Sequence, residues 1–490
     1  MNRLKASIIT CFLPVLCLVS YFHAAPALAL EAHKNIKGLF NSTRQVTIKC
    51  LECHRQQAAE VLKSTHWTWQ RQRTVNGRTV MSGKKDSLAG FAIDIASNPS
   101  RCLKCHISSN PGPDVFAKAD QADIDCLVCH DTTGKYTRSS ELTQLEQGDF
   151  EIIARNVGRS LPGNCVSCHF ADCGLSVSSQ ATSTATGLRS SFQTDIHMAD
   201  RVGAFTCQTC HVNGSGHSFS RTMVYGSGLI SRNGGCSSCH TNAPHKLDRL
   251  NSHTNVIACR TCHIPEYAPK TPAITSWNWM LTGKNEPIFQ TVRGGRNIFQ
   301  DRNGFTTSTM IQPVYMWDDG SDLLYSRGQR VRPQELTYLQ RPSRRVPKAK
   351  IAPFRVLYGT QLYDTKYRYL ISPLLSAQGG ALFSGPDWDT IAREGMKAII
   401  LPYSGQYGVV PTATYRRINH GVVSAPDALG CMDCHGTKGR MNWAALGYDH
   451  DPWSGQQQLK AKPLQGNGFN HKMELLPPAK QTRRSVEPAI

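Results

Sequence analysis

The chain opens on a basic segment followed by an apolar one. Met1-Asn2-Arg3-Leu4-Lys5 precedes a stretch from Ala6 to Phe22, and Ala27-Leu28-Ala29 follows as a small-x-small cleavage site. Residues 1–29 therefore read as a secretory signal peptide. The apolar run is a little short for a membrane span, and no later segment is long and apolar enough to be one. After signal cleavage the protein is expected to be periplasmic and not an integral membrane protein.

Beyond the signal, helical periodicity is sparse. Arg55 to Trp67 reads as one helix. Asp387 to Ile400 reads as another, with Ile391, Met396 and Ile399 forming an apolar stripe and Asp387 a cap. The long stretch 264–418 holds Trp277, Trp279, Trp317, many arginines and scattered Pro and Gly, and reads as irregular structure. Residues 455–490 are rich in Gln, Lys, Arg and Pro and read as a flexible basic tail that aids solubility.

The cysteines change this picture. Nineteen cysteines and eighteen histidines fall mostly into eight copies of Cys-x-x-Cys-His. The first is Cys50, Cys53 and His54; the second is Cys102, Cys105 and His106; the third is Cys126, Cys129 and His130. The fourth is Cys165, Cys168 and His169; the fifth is Cys207, Cys210 and His211; the sixth is Cys236, Cys239 and His240. The seventh is Cys259, Cys262 and His263, and the eighth is Cys431, Cys434 and His435. On the order of 0.03 copies would arise by chance from this composition. Two thiols at this spacing form thioethers to the two vinyl groups of a haem, and the adjacent histidine becomes the proximal iron ligand. Zinc or disulfide arrays do not demand histidine after every second cysteine. Eight covalently bound haem c groups are expected, and outside the signal only Cys173 is left over.

Residues 30–263 carry seven motifs and so have little room for a conventional core; 264–454 are motif-poor and end with the eighth. The expected fold is mainly α with much irregular structure, a multihaem cytochrome c fold wrapped around eight haems. The formal charge of +20 invites a nucleic-acid reading. Eight haems would bring about sixteen propionates against about eight ferric centres, which offsets much of it, and export separates the chain from nucleic acid. The residual basic surface suits a small anionic substrate or acidic redox partner proteins of the cell envelope.

Electron-transfer haems commonly take a second histidine. Candidates are His33, His66, His197, His217, His245, His253 and His420, with His450 and His471 in or near the polar tail assigned to the surface. Twelve residues of helix span about 18 Å, so His66 is expected to serve a neighbouring haem rather than that of Cys50 and Cys53.

Several stretches carry a family resemblance. Ser64-Thr65-His66-Trp67-Thr68-Trp69, Asp195-Ile196-His197-Met198, Leu250-Asn251-Ser252-His253 leading to Cys259-Arg260-Thr261-Cys262-His263-Ile264-Pro265, Arg393-Glu394-Gly395-Met396-Lys397, Leu401-Pro402-Tyr403-Ser404-Gly405, Ile418-Asn419-His420-Gly421 and Ala445-Leu446-Gly447-Tyr448 resemble the octahaem tetrathionate reductase family of periplasmic cytochromes c. The resemblance implies seven bis-histidine haems, with His33, His66, His197, His217, His245, His253 and His420 as distal ligands. It implies an active-site haem on Cys102 and Cys105 with His106 proximal, and reduction of tetrathionate, nitrite or hydroxylamine there.

In that family the active-site haem has a lysine as distal ligand, from just after the fourth motif. Here Phe170-Ala171-Asp172-Cys173-Gly174-Leu175 stands in its place, and no lysine lies between Lys135 and Lys246. Cys173 is the strong iron ligand of that segment, and a thiolate would lower the haem's potential. Asp172, Asp195 and Arg201 are candidates for proton delivery and anion binding. A non-enzymatic conduit, with every iron closed, is the alternative. An oxidase of the hydroxylamine-oxidoreductase type would need a tyrosine cross-link, for which Tyr403 or Tyr448 are candidates. A nitrite reductase with a lysine-containing attachment motif is disfavoured, since all eight motifs end in histidine.

Overall fold

The computed structural model describes residues 33–75, 78–88, 93–99, 105–109, 120–136, 148–169, 195–198, 205–213, 217–219, 235–269, 272–282, 289–293, 296–300, 304–342, 346–347, 349–375 and 386–454. The signal segment, Cys102, the stretch with Asp172 and Cys173, Arg201 and the tail with His471 lie outside the described residues. The chain divides into two compact units, residues 1–428 and 429–490.

Short helices carry the motifs of the first unit. They include Thr43–Leu51, Arg55–Lys63, Thr65–Thr68, Leu127–His130, Pro162–His169, Cys207–His211 and Cys259–His263. Helices this short are marginal in water and depend on what they pack against. Here the protein supplies only small apolar clusters. Phe40, Val46, Leu127, Phe150, Ile153 and Ala154 form one; Ala58, Trp67, Ile107 and Ile124 form another. The expected helix from Arg55 to Trp67 is in fact broken at Ser64. Its extended ψ of 160° turns the chain, and its hydroxyl donates to the Val61 carbonyl at 2.7 Å. Trp69 then takes a left-handed φ of 50° and leads into the hairpin β1 (Gln70–Val75) and β2 (Arg78–Gly83). A two-residue pair, β3 (Val212–Asn213) and β4 (Ser218–Phe219), follows the fifth motif.

The expectation of a mainly α chain with an irregular 264–418 stretch is corrected by a nine-stranded mixed sheet. Its strands are β5 (Ala273–Asn278), β6 (Phe289–Arg293), β7 (Arg296–Gln300), β8 (Phe305–Ser308), β9 (Val314–Asp318), β10 (Asp322–Leu324), β11 (Thr337–Pro342), β12 (Lys350–Asp364) and β13 (Tyr407–Arg417). The order is β10-β11-β13-β12-β5-β8-β7-β6, and β9 pairs with the first residues of β12. Two pairings, β11 with β13 and β12 with β5, are parallel. The strands escape sequence reading for a physical reason. The central strand β12 is buried on both faces, so its apolar residues run on instead of alternating, and several pairings join segments far apart in sequence.

Against this sheet lies the helix Trp388–Ala398, the one the apolar stripe anticipates. Asp387 caps it by accepting from the N–H groups of Asp389 and Thr390. Ile391, Ala392 and Met396 are fully buried, Ala392 and Met396 in a cluster with Leu362, Tyr369 and Ile371. Gly395 is required by close approach. A Cβ there would stand 1.9 Å from the Ser372 carbonyl oxygen and 2.7 Å from the Leu374 nitrogen.

A buried ion cluster joins the sheet to the seventh motif. Arg417, closing β13, donates from Nε to both oxygens of Asp318 at 2.8 and 2.9 Å and from Nη1 to Asp322 at 2.5 Å. Arg260, inside the seventh motif, donates to Asp318 from the other side. Arg71 reaches Asp322 at 3.1 Å. Backbone contacts reinforce the joint. The Ala258 N–H and the Thr261 hydroxyl both donate to the Ile351 carbonyl, at 2.9 and 2.8 Å. Burial pushes the Asp318 carboxyl up, but Arg417 and Arg260 outweigh it and hold it below the ordinary carboxylate range.

Gly395→Ala is expected to lower the denaturation midpoint, by about 1–3 kcal/mol of overpacking, because the obstacles around it are backbone atoms. Asp318→Asn strips two buried guanidiniums of their shared anion and is expected to cost about 3–5 kcal/mol. The Asp318 contribution is complete above its unfolded-state pKa near 3.8 and is lost as pH falls through its lower folded value. Acid unfolding followed by circular dichroism should therefore begin at higher pH in a variant that still folds.

Candidate metal centres

Outside the second motif, each attachment motif forms about one helical turn. In four of them the histidine N–H donates to the first cysteine's carbonyl: His54, His130, His240 and His435, at 2.9, 3.1, 2.8 and 3.0 Å. Residues three and four apart share a helix face. Both thiols and the imidazole therefore present to one side, as attachment to one ring requires.

The two thiols of a motif nevertheless differ in setting. The first cysteines of the first and third motifs, Cys50 and Cys126, are in hydrogen-bond contact. So are Cys165 with Cys207, from the fourth and fifth, and Cys236 with Cys259, from the sixth and seventh. Groups attached at these thiols would be neighbours, which suits electron exchange between them. The second cysteines vary in exposure. Cys53, Cys210 and Cys239 are exposed, and Cys105, Cys129, Cys168, Cys262 and Cys434 are half-buried. The N–H groups of Cys53, Cys129 and Cys239 donate to the carbonyls of Cys50, Cys126 and Cys236, at 3.2, 3.3 and 3.2 Å. Cys168 accepts from the Ser167 hydroxyl at 3.8 Å, and Cys434 ends the turn Cys431–Cys434. Contact between motifs marks the first cysteines; the assignment of these second ones to haem attachment is carried by their spacing.

The tertiary structure brings six motif histidines each to a second histidine. Ring centroids lie 6.0 Å apart for His54 and His33, 5.8 Å for His169 and His66, and 6.1 Å for His130 and His217. They lie 6.2 Å apart for His240 and His197, 6.0 Å for His211 and His420, and 6.2 Å for His263 and His245. A metal–imidazole bond of about 2.0 Å on each side, with each centroid roughly 1.1 Å behind its nitrogen, gives about 6.2 Å. The residues thus fit a metal shared between two axial imidazoles. Among the described residues no group of three or more His, Cys, Asp or Glu side chains could hold a metal by itself. Two axial protein ligands suit an iron whose other ligands are the nitrogens of a macrocycle. His66 meets the histidine of the fourth motif and not that of the first, as expected, although the helix before it ends at Lys63.

Hydrogen bonds orient the rings. Nδ1 of His130 bonds the Gly158 carbonyl at 2.7 Å, and Nδ1 of His253 bonds the Arg249 carbonyl at 2.7 Å. His197 places Nδ1 3.2 Å from Asp195 and His245 3.3 Å from the Asn251 amide oxygen, while His217 Nδ1 lies 3.4 Å from Glu60 without hydrogen-bond geometry. A proton held on Nδ1 leaves Nε2 as the coordinating nitrogen. Burial, then the nearby His169, lowers His66 to about 4. Burial also lowers His33, His130, His169, His263 and His420. These imidazoles are therefore held neutral, the form that binds metal.

The second motif has a different setting. His106 is fully buried. Its Nε2 donates to the Trp67 carbonyl at 2.6 Å, its Nδ1 accepts from the Ser108 N–H at 3.2 Å, and the rings of Trp69 and Trp67 stand 5.0 and 5.5 Å away. Just before it, the buried Asp94 is clamped by Arg327 at 2.5 and 2.9 Å, and its N–H donates to Ser372 at 2.9 Å. Asn98 bonds the Pro373 carbonyl at 2.8 Å. The segment entering this motif is thus tied to the loop after β12.

Asp195 is 4% exposed, and both its oxygens are engaged. Oδ1 accepts from the His197 N–H at 3.0 Å and faces its ring; Oδ2 accepts from Gly421 and Val422 N–H at 2.8 and 3.1 Å. It therefore links His197 to the segment just after His420. His450 is exposed, in keeping with its assignment to the surface. Asp94, Arg260, Asp318, Arg417 and Asp451 were not marked by sequence, because isolated charged residues carry no spacing signal. Arg260 alone offered one, a cation between the two cysteines of a motif.

The family described as bacterial cytochrome c matches residues 274–438, and that described as cytochrome c554 and c-prime matches residues 49–131. No curated protein matches the chain. The crystal structure of an octahaem cytochrome c from Shewanella oneidensis aligns with a TM-score of 0.76 and 36% identity, covering 88% of this chain and 99% of that one. Likeness on this scale, joined to eight attachment motifs, means that the chain belongs to the octahaem cytochromes c and carries eight covalently bound haem c groups.

Proposed function

We propose that this protein is a periplasmic reductase of a small sulfur or nitrogen oxyanion, tetrathionate, nitrite or hydroxylamine being the candidates. Electrons would pass through the bis-histidine centres to the site of the second motif. The observation that supports this is the setting of His106. Six other motif histidines face an imidazole, whereas His106 meets the Trp67 carbonyl and two indole rings in a buried site. When bound, the haems supply one-electron redox chemistry and, at one atypically ligated iron, a place for substrate.

The chain's own residues have separable parts. The six paired centres exclude substrate by occupying both axial positions. Cys173 is proposed as the distal thiolate of the second-motif haem, with Asp172 as a proton donor beside it. Asp195, whose oxygens are already engaged, is better suited to holding His197 and the His420 segment than to giving up protons at a substrate. The formal charge of +20 favours approach of an anion. The same six closed centres favour a non-enzymatic conduit as the second reading.

The assay that separates them is viologen-coupled reduction by the purified holoprotein, with each candidate substrate offered alone. Turnover is expected with at least one, and Cys173→Ala should change it by about tenfold or more, the scale of a lost ligand interaction. No turnover in protein that still reduces fully would leave the conduit. Asp195→Ala is expected to release His197 in part. Its ferric spectrum should gain a high-spin component while the haem count stays at eight, and an unchanged low-spin spectrum would remove Asp195 from this role.

A further inference from the structure

We infer that Asp451 is a positioning residue that lowers the reduction potential of the haem of the eighth motif. The inference rests on the reading of His435 as that haem's axial ligand.

The second unit builds this site from its own residues. Nδ1 of His435 donates to Asp451 Oδ1 at 2.6 Å. The carboxylate cannot swing away, because its Oδ2 accepts from the Gly436 N–H at 2.6 Å and its Oδ1 from the Trp453 N–H at 2.9 Å. The imidazole is held between two indoles: Trp443 at 5.2 Å and nearly parallel at 20°, Trp453 at 5.3 Å and 41°. The side chains of His435 and Asp451 are 11% and 20% exposed, so water screens the pair only in part.

Five other imidazoles of the candidate centres have weaker partners. His130 and His253 bond backbone carbonyls, and His245 faces an amide. Two others face carboxylates at greater distance, His197 at 3.2 Å and His217 at 3.4 Å. A charge-assisted bond as short as that of His435 is among the strongest available to a side chain. It draws the Nδ1 proton toward the carboxylate and makes Nε2 a stronger donor to iron. Ferric iron gains more from that donation than ferrous iron does, so reduction becomes harder.

The test is a spectroelectrochemical titration of the intact holoprotein with Asp451→Asn and Asp451→Glu alongside, each checked for haem content. In Asp451→Asn one low-potential component is expected to rise by at least tenfold in its equilibrium constant, about 59 mV for a one-electron couple. The other components should stay in place, and Asp451→Glu should restore the one that moved. The ferric wild-type protein should also show one low-spin resonance with a narrowed g spread that Asp451→Asn loses. A titration in which no low-potential component moves, with eight haems retained, overturns the inference. Should Asp451→Asn shed a haem, the wild-type resonance decides, and its absence overturns the inference equally. A wild-type protein with eight haems in which replacing His435 leaves every low-spin signal intact would instead sink the ligation reading beneath it.

Discussion

Two imidazoles facing each other with centroids about 6 Å apart gain little from one another. A shared metal makes that arrangement favourable, and it occurs six times among the described residues. The rest of the first unit serves it. Short helices that are marginal alone are fastened at one end by attachment and at the other by a histidine given to a different centre. Each such exchange closes a long loop of chain. The small apolar clusters between helices suit a molecule whose interior is largely cofactor.

The sheet supplies what the haem-dense segment lacks, a conventional core. Its role at the metal centres is one of position, because both ends of the link are close neighbours of ligands in the chain. Arg417 ends β13 three residues before His420, and Arg260 lies three before His263. Asp318 binds both guanidiniums, so one buried carboxylate relates the ligands of two different centres. A cluster of this kind is seldom a net source of stability, but losing one member leaves a charge stranded. Its value here is geometric: it fixes where the two ligand segments lie.

Around the imidazoles a second layer of residues sets character rather than position. Carbonyls, an amide and carboxylates all accept the Nδ1 proton in different centres. Where histidine is the axial ligand, differences in potential would come from these acceptors, from burial and from neighbouring charge.

The sequence by itself determined the cofactor class and number, because thioether attachment needs two thiols and an imidazole within one helical turn, a local pattern that survives in the linear order. It also determined the helix Trp388–Ala398 and its cap, whose stripe has a clear period. The distal histidines were found as candidates, but not which motif each one faces from residues alone. That pairing, the meeting of Cys50 with Cys126 and of Cys236 with Cys259, and the part played by Asp195 and Asp318 were decided only by the tertiary structure. The strands of the sheet belong with them, since β12 is apolar on both faces and pairs with partners distant in the chain. The physical reason is common to all of these. Covalent attachment and helix capping act between residues a few positions apart, whereas axial pairing, strand pairing and buried ion clusters act between segments that only folding brings within bonding distance.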